Sequence, residues 1–262
     1  MKIIDIHAHI YPDDIAAKAS DSVKQFYEGV GDRNMNGTEG MLLSRGREAG
    51  ISRFVILPVA IRPDRVQNIN NFILQKAAEN PDYIPFGTVH AAMEGLTDEV
   101  ERLIAAGVKG IKMHPDSQRF SIDDPRLFPL YETARGNIPI ILHMGDRRYN
   151  YSHPVKLRRV LDLFPGLRTI AAHFGGYSMY QTAAEYLYDT DCVMDISSSM
   201  MFMEPGQPEY YINKYGAERM AFGTDYPMWD PVREVERFLA LDLTRSQQEQ
   251  IAHKTAEQIL QL

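Results

Sequence analysis

Met1-Lys2-Ile3-Ile4-Asp5-Ile6-His7-Ala8-His9 is an apolar run that ends on two histidines one residue apart. In a β-strand alternate side chains share a face, so Asp5, His7 and His9 are expected to project one way and Ile4, Ile6 and Ala8 the other. Two imidazoles from one strand then reach one point, and neutral imidazole is a good ligand for zinc and similar cations. Taken alone, the motif fits equally well a strand end whose polar residues face water. The rest of the chain decides between the two.

Short β-branched or apolar runs ending in a polar residue recur after Lys2 to His9: Phe54 to Val59, Pro85 to His90, Val108 to His114, Pro139 to His143, Arg168 to His173, Cys192 to Ser197 and Arg219 to Asp225. Amphipathic stretches separate most of them. Val66, Ile69, Phe72 and Ile73 fall at helical spacing, as do Val100, Leu103 and Ile104, and again Val160, Leu161 and Phe164. A strand-helix succession of this kind implies parallel strands. Eight such units in 262 residues fit a (β/α)8 barrel, whose usual length is about 250 residues. The expected fold is therefore α/β, a single-domain (β/α)8 TIM barrel over residues 1–262.

Barrel enzymes build their sites at the carboxyl ends of the strands. His7, His9, His90, His114, His143 and His173 all fall at expected strand ends, and Asp225 ends the last strand. His153, before a helix expected near Pro154, and His253, in the terminal helix, stand apart. Any one strand-end imidazole can simply bond a loop carbonyl. The clustering of six, with a carboxylate, is what points to a metal or catalytic centre.

The ordered motifs resemble the amidohydrolase superfamily, in the branch that includes aminocarboxymuconate-semialdehyde decarboxylase. The resemblance runs from Ile4-Asp-Ile-His-Ala-His9 through Gly110-Ile-Lys-Met-His-Pro115, His143-Met-Gly-Asp146, Ala172-His-Phe-Gly-Gly176 and Phe222-Gly-Thr-Asp-Tyr-Pro227, covering nearly the whole chain. It implies that His7, His9, His143 and Asp225 are ligands of one divalent metal ion, zinc in first place and manganese in second. It also implies that His173 stands beside the metal and takes part in catalysis with Asp225. In binuclear branches of the superfamily a fourth-strand lysine is carboxylated and bridges two metals. The branch resembled here generally works with one, so Lys112 is read as a buried or substrate-facing ammonium.

The first function implied is a metal-dependent hydrolase of a small carbonyl compound, an amide, lactone or relative. Metal lowers the pKa of bound water toward ~7, and Asp225 takes and returns the proton. The same cage suits a non-oxidative decarboxylase of a small unsaturated or aromatic carboxylic acid, in which Asp225 or His173 supplies a proton to carbon. A third reading is a non-catalytic barrel with a structural metal.

Candidate substrate contacts are Lys112 and His114 on the fourth strand, Arg147 and Arg148 in the polar loop after the fifth, and Tyr226 and Trp229 beyond Asp225. An arginine there would pair bidentately with a carboxylate; the alternative is a solvated loop whose charges answer Asp146. Ser197, Ser198 and Ser199 end the seventh strand without a dedicated base, which argues against a serine nucleophile. The segment from Tyr11 to about Asn36, carrying Phe26 and Tyr27, is read as a lid, with a short helix around Ile15 to Val30 as the competing reading.

Net charge is −7 with charges dispersed, so no basic stripe invites nucleic acid or an anionic membrane. The single cysteine, Cys192, cannot form an intramolecular disulfide and reads as a small buried residue. No apolar stretch reaches the ~18 residues of a membrane span, and no secretory pattern opens the chain. The expectation is a cytoplasmic protein with a small-molecule partner, carboxylate-bearing in the second reading, and compatible with a homo-oligomer.

Overall fold

The computed structural model describes all residues, 1–262. The expected strands are present as nine segments: β1 Ile4–Ala8, β2 Arg53–Ile56, β3 Tyr83–Pro85, β4 Gly87–Thr88, β5 Ile111–Met113, β6 Ile140–Leu142, β7 Thr169–Ala171, β8 Val193–Asp195 and β9 Met220–Ala221. All pairings are parallel, in the orders β1-β2-β3 and β4-β5-β6-β7-β8-β9. β3 and β4 are halves of one barrel strand divided at Phe86, whose N–H donates to Ile56 O at 3.2 Å while the next N–H, of Gly87, donates to Gly110 O at 2.9 Å. At the opposite seam Ile6 N donates to Phe222 O at 2.9 Å and Ala8 bridges to Tyr226, which closes the barrel.

Helices α1 Asp13–Phe26, α2 Glu39–Glu48, α3 Val66–Glu79, α4 Leu96–Ala105, α5 Pro115–Gln118, α6 Phe128–Ala134, α7 Pro154–Leu163, α8 Tyr180–Leu187, α9 Gln207–Tyr215, α10 Pro231–Leu239, α11 Arg245–Glu249 and α12 Thr255–Leu260 complete the strand-helix alternation. Their starts follow local chemistry. Proline occupies the first turn of α7 and α10, where its missing N–H costs nothing, behind the caps His153 and Asp230. His153 accepts from Val155 N at 3.2 Å, which explains its place outside the cluster. Thr244 and Gln247 form the capping box of α11.

The core has two layers. An outer cluster of 50 residues lies between strands and helices, with Phe54, Leu103, Leu130 and Phe238 among them. An inner cluster of 12 takes Ile4 and Ile6, Val55 and Leu57, Ile84, Phe86, Ile141, Ile170, Val193 and Ala221, with Ala256 and Leu260 from α12. Gly110 makes room for Phe86: a Cβ there would stand 2.2 Å from the ring and 2.8 Å from Pro139 O.

One expectation is corrected and one alternative is decided. Strict alternation along β1 fails, because the register with β2 slips between Asp5 and Ala8. That bulge lets Ile4 and Ile6 join the inner cluster and still aims His7 at the site. Asp5 turns to the last strand instead, accepting from Thr224 Oγ1 at 2.6 Å, Thr224 N at 3.0 Å and His7 N at 3.0 Å. Within residues 11–36 the competing reading of a short helix is the one realised, over Asp13–Phe26 and opening with two aspartates in its first turn, as the helix dipole favours.

Candidate metal centre

A cavity of about 560 Å3 opens at the carboxyl ends of the strands. Its floor carries His7, His9, Lys112, His114, His143 and Asp225, and α1 supplies apolar Ile15, Ala19, Val23 and Phe26 to the cover. Ligand atoms of His7, His9 and Asp225 lie within 4.8 Å of one another. Asp225 Oδ1 is 3.4 Å from the Nε2 of each histidine.

The partners of the other ring nitrogens decide whether these side chains suit a metal. His7 Nδ1 meets Asp195 Oδ2 at 2.8 Å and His9 Nδ1 meets Leu57 O at 2.6 Å. Both acceptors place the imidazole proton on Nδ1, which leaves each Nε2 with its lone pair free for a cation, the arrangement seen around bound metals generally. Lys112, fully buried, sets its Nζ 3.0 Å from His7 Nε2, so a cationic group already sits at that lone pair. A divalent ion fits this set, and taking it up transfers the His7 lone pair from the ammonium to the metal.

Electrostatics agree with neutral imidazoles. Burial, followed by the charge of Lys112, lowers His7 to about 4. Burial lowers Lys112 to about 8, opposed by Asp225 and Asp195. Burial also drives His114 and His143 well below the usual histidine value, and His173 below it. Asp195 ionises against the effect of its own burial: His7, by charge and then by hydrogen bond, followed by His173 and Ser197, holds it well below the usual carboxylate range. It also accepts the backbone N–H groups of His173 and Ser197 at 3.1 and 3.0 Å.

Asp225 is held from several sides. Its N–H donates to His7 O at 2.7 Å, Ser198 Oγ donates to its Oδ2, and Trp229 Nε1 donates to Ser198 Oγ at 2.7 Å. His173, Phe174, Ser198 and Asp225 all have φ between 49° and 62°. Non-glycine residues adopt that region at some cost, which concentrates at functional sites.

The remaining residues named from sequence divide. His143 Nδ1 faces His173 Nε2 at 3.0 Å, and the His143 ring stacks on His114 at 4.0 Å and 8°. His143 thus adjoins the site without falling within the His7, His9 and Asp225 group. His114, Asp116 and His143 form a separate group by distance, but nearly parallel stacked rings aim their lone pairs side by side. His173 lies behind His143 and does not line the cavity.

Arg147, Arg148, Tyr226 and Trp229 do not line it either. Arg147 is exposed. Arg148 is occupied: it pairs with Asp146 at 2.6 and 3.0 Å, donates to Phe26 O at 2.7 Å and covers the Phe26 and Tyr27 rings. It clamps α1 instead of holding a substrate. Tyr226 is buried, its hydroxyl on Thr38 O at 2.9 Å, and Trp229 acts on Asp225 through Ser198. His90 accepts from Ala92 N at 3.1 Å, outside the site. Sequence reasoning missed Asp195, although a lone carboxylate at the end of an apolar strand was a usable signal.

Fold and side chains together define a (β/α)8 barrel whose strand ends carry residues that could hold a divalent metal. The amidohydrolase family model matches residues 4–262, and the chain belongs to that family. Among solved structures, an uncharacterised TIM-barrel protein from Bordetella bronchiseptica is 23% identical over 100% of this chain and 99% of its own, with a TM-score of 0.83. The 5-carboxyvanillate decarboxylase of Sphingomonas paucimobilis is 15% identical over 100% and 99%, at 0.76. A dihydroxybenzoic acid decarboxylase from Polaromonas, with bound manganese and an inhibitor, is 15% identical over 100% and 97%, at 0.77. At these identities the likeness is one of fold.

Proposed function

We propose that this chain is a metal-dependent, non-oxidative decarboxylase of a small unsaturated or aromatic carboxylic acid. The observation that carries the reading is the pairing of a buried ammonium, Lys112, with the His7, His9 and Asp225 group beneath an apolar cover. A carboxylate set there meets a fixed cation while its ring meets Val23 and Phe26. Excluding water favours loss of carbon dioxide, because charge spreads from the carboxylate as the carbon-carbon bond breaks.

His7, His9 and Asp225 would hold the ion, with His143 standing beside it. Zinc comes first on the donor set; manganese is favoured by the decarboxylase from Polaromonas. When bound, it supplies Lewis-acid polarisation of a substrate oxygen. The chain does the rest. Breaking the bond leaves an electron pair on the carbon that bore the carboxyl group, and that carbon needs a proton. Asp225 lines the cavity whereas His173 is screened by His143, so Asp225 is the acid-base group in reach; as a carboxylate it first takes up a proton from solvent and then passes it to that carbon as carbon dioxide leaves. Lys112 orients the carboxylate, and Asp195 keeps His7 in its ligand tautomer.

Hydrolysis of a small amide or lactone is the second reading, favoured by two neutral imidazoles and a carboxylate on one point, a donor set that also activates water. Metal content of wild type and His9→Ala, followed by carbon dioxide release from 2,6-dihydroxybenzoate and 5-carboxyvanillate and by hydrolysis of lactones and amides, tests both. About one equivalent of metal, lost in His9→Ala, with carbon dioxide release supports the proposal. Two equivalents would return Lys112 to a bridging role. Turnover of lactones or amides alone would replace decarboxylation with hydrolysis, and no metal after reconstitution would overturn both.

A further inference from the structure

We infer that Tyr27 is a positioning residue of the metal centre, through which α1 and the site histidines are coupled. The inference rests on the metal-dependent reading above. Tyr27 follows the last residue of α1 and is buried, with its hydroxyl 2.8 Å from His114 Nε2 and 3.3 and 3.5 Å from His143 Nε2 and Nδ1. It is the one residue in 11–36 that hydrogen-bonds to a site histidine.

The direction of each bond follows from the two ends of the row. At one end Ser117 N donates to His114 Nδ1 at 3.3 Å, so His114 carries its proton on Nε2 and donates to the Tyr27 oxygen. At the other, His173 Nδ1 faces Ser197 O at 3.2 Å and Ser197 Oγ at 3.0 Å, the latter having given its own proton to Asp195. His173 therefore carries its proton on Nδ1, and its Nε2 accepts from His143 Nδ1. That leaves His143 Nε2 without a proton, and the Tyr27 hydroxyl supplies the missing donor. Every link has one donor and one acceptor.

Removing that hydroxyl leaves both His114 Nε2–H and His143 Nε2 unpaired in a buried place, so the ring set beside the metal position loses its outer support. Tyr27 is fixed in turn by α1, whose end is clamped by Arg148 on Phe26 O. Ordering the histidines and docking α1 thus share one bond, and linkage requires each to favour the other.

The test compares Tyr27→Phe, which keeps the ring, with wild type. Manganese and zinc affinities are measured by competition with a chromophoric chelator, and amide hydrogen exchange over residues 13–36 is followed with and without manganese. We expect metal to slow exchange there in wild type, and Tyr27→Phe to bind metal about 10-fold more weakly, the lower bound typical of lost outer-shell partners, with little slowing. Affinity within twofold of wild type, or equal slowing in the variant, overturns the inference and leaves the metal reading intact. A wild-type chain that takes up neither metal overturns both. Should Tyr27→Phe not fold, His114→Asn, which removes the donor to the same hydroxyl, takes its place with the same expected direction.

Discussion

Asp195→Asn is nearly isosteric and changes one thing at the centre of the site. As a carboxylate, Asp195 accepts from His7 Nδ1 at 2.8 Å through Oδ2, while Oδ1 takes His173 N, Ser197 N and Ser197 Oγ. An amide keeps its oxygen for the last three, so its NH2 group faces His7. A donor there turns His7 into the tautomer with Nδ1 accepting, and the proton moves to Nε2, where the metal needs a lone pair. Restoring the ligand tautomer loses one charge-assisted hydrogen bond and opposes two donors, about 1.5–3 kcal/mol. That corresponds to about 10- to 100-fold in metal affinity, the usual size of a second-shell effect. Chelator competition on purified wild type and Asp195→Asn, with circular dichroism to show both folded, measures it. Unchanged affinity in a folded variant would refute the tautomer argument and the assignment of His7 as a ligand.

Glu234 is buried, with Oε1 on Arg237 Nε at 3.1 Å and no partner for Oε2, and burial raises its pKa to about 7. A raised carboxyl favours folding while protonated, so its contribution is full below about 4.3 and lost as pH rises toward 7. Glu234→Gln should therefore flatten the fall in urea stability between pH 5 and 8 by about 2–3 kcal/mol; parallel wild-type and variant curves would contradict this. Gly223→Ala should weaken metal binding and cost about 1–3 kcal/mol, because its Cβ would stand 2.9 Å from His7 Cβ; unchanged chelator competition would refute it. Asp225→Asn should lose turnover by orders of magnitude while remaining folded, whereas a structural metal site would chiefly lose thermal stability.

Barrel and site were largely legible because both repeat. Alternating strand and helix periods marked each unit, and the polar residue ending each strand marked the mouth. Lys112 was read as a buried or substrate-facing ammonium from the family resemblance, since its two-residue offset to His114 left both directions open; the structure buries it with Nζ at His7 Nε2. What escaped were features set by tertiary context. The β1 bulge depends on how β2 pairs with it, and no spacing within residues 1–9 announces it. For Arg148 the pairing with Asp146 was one of two readings open in the sequence; what no spacing announced is its bond to the Phe26 carbonyl 122 residues away. Tyr27 was noticed only as part of a covering segment, since nothing in sequence joins it to His143.

The inner cluster of Ile4, Ile6, Val55, Phe86, Ile141 and Ile170 fills the barrel below the site, and this has a kinetic consequence. Nothing can pass through to the far end, so the reactant and everything made from it share one doorway beside α1. Traffic is then single-file: a spent molecule must leave before a fresh one enters, and excess product competes directly with arriving reactant. Steady-state inhibition by the product that leaves last should accordingly be competitive, whatever bond the site breaks.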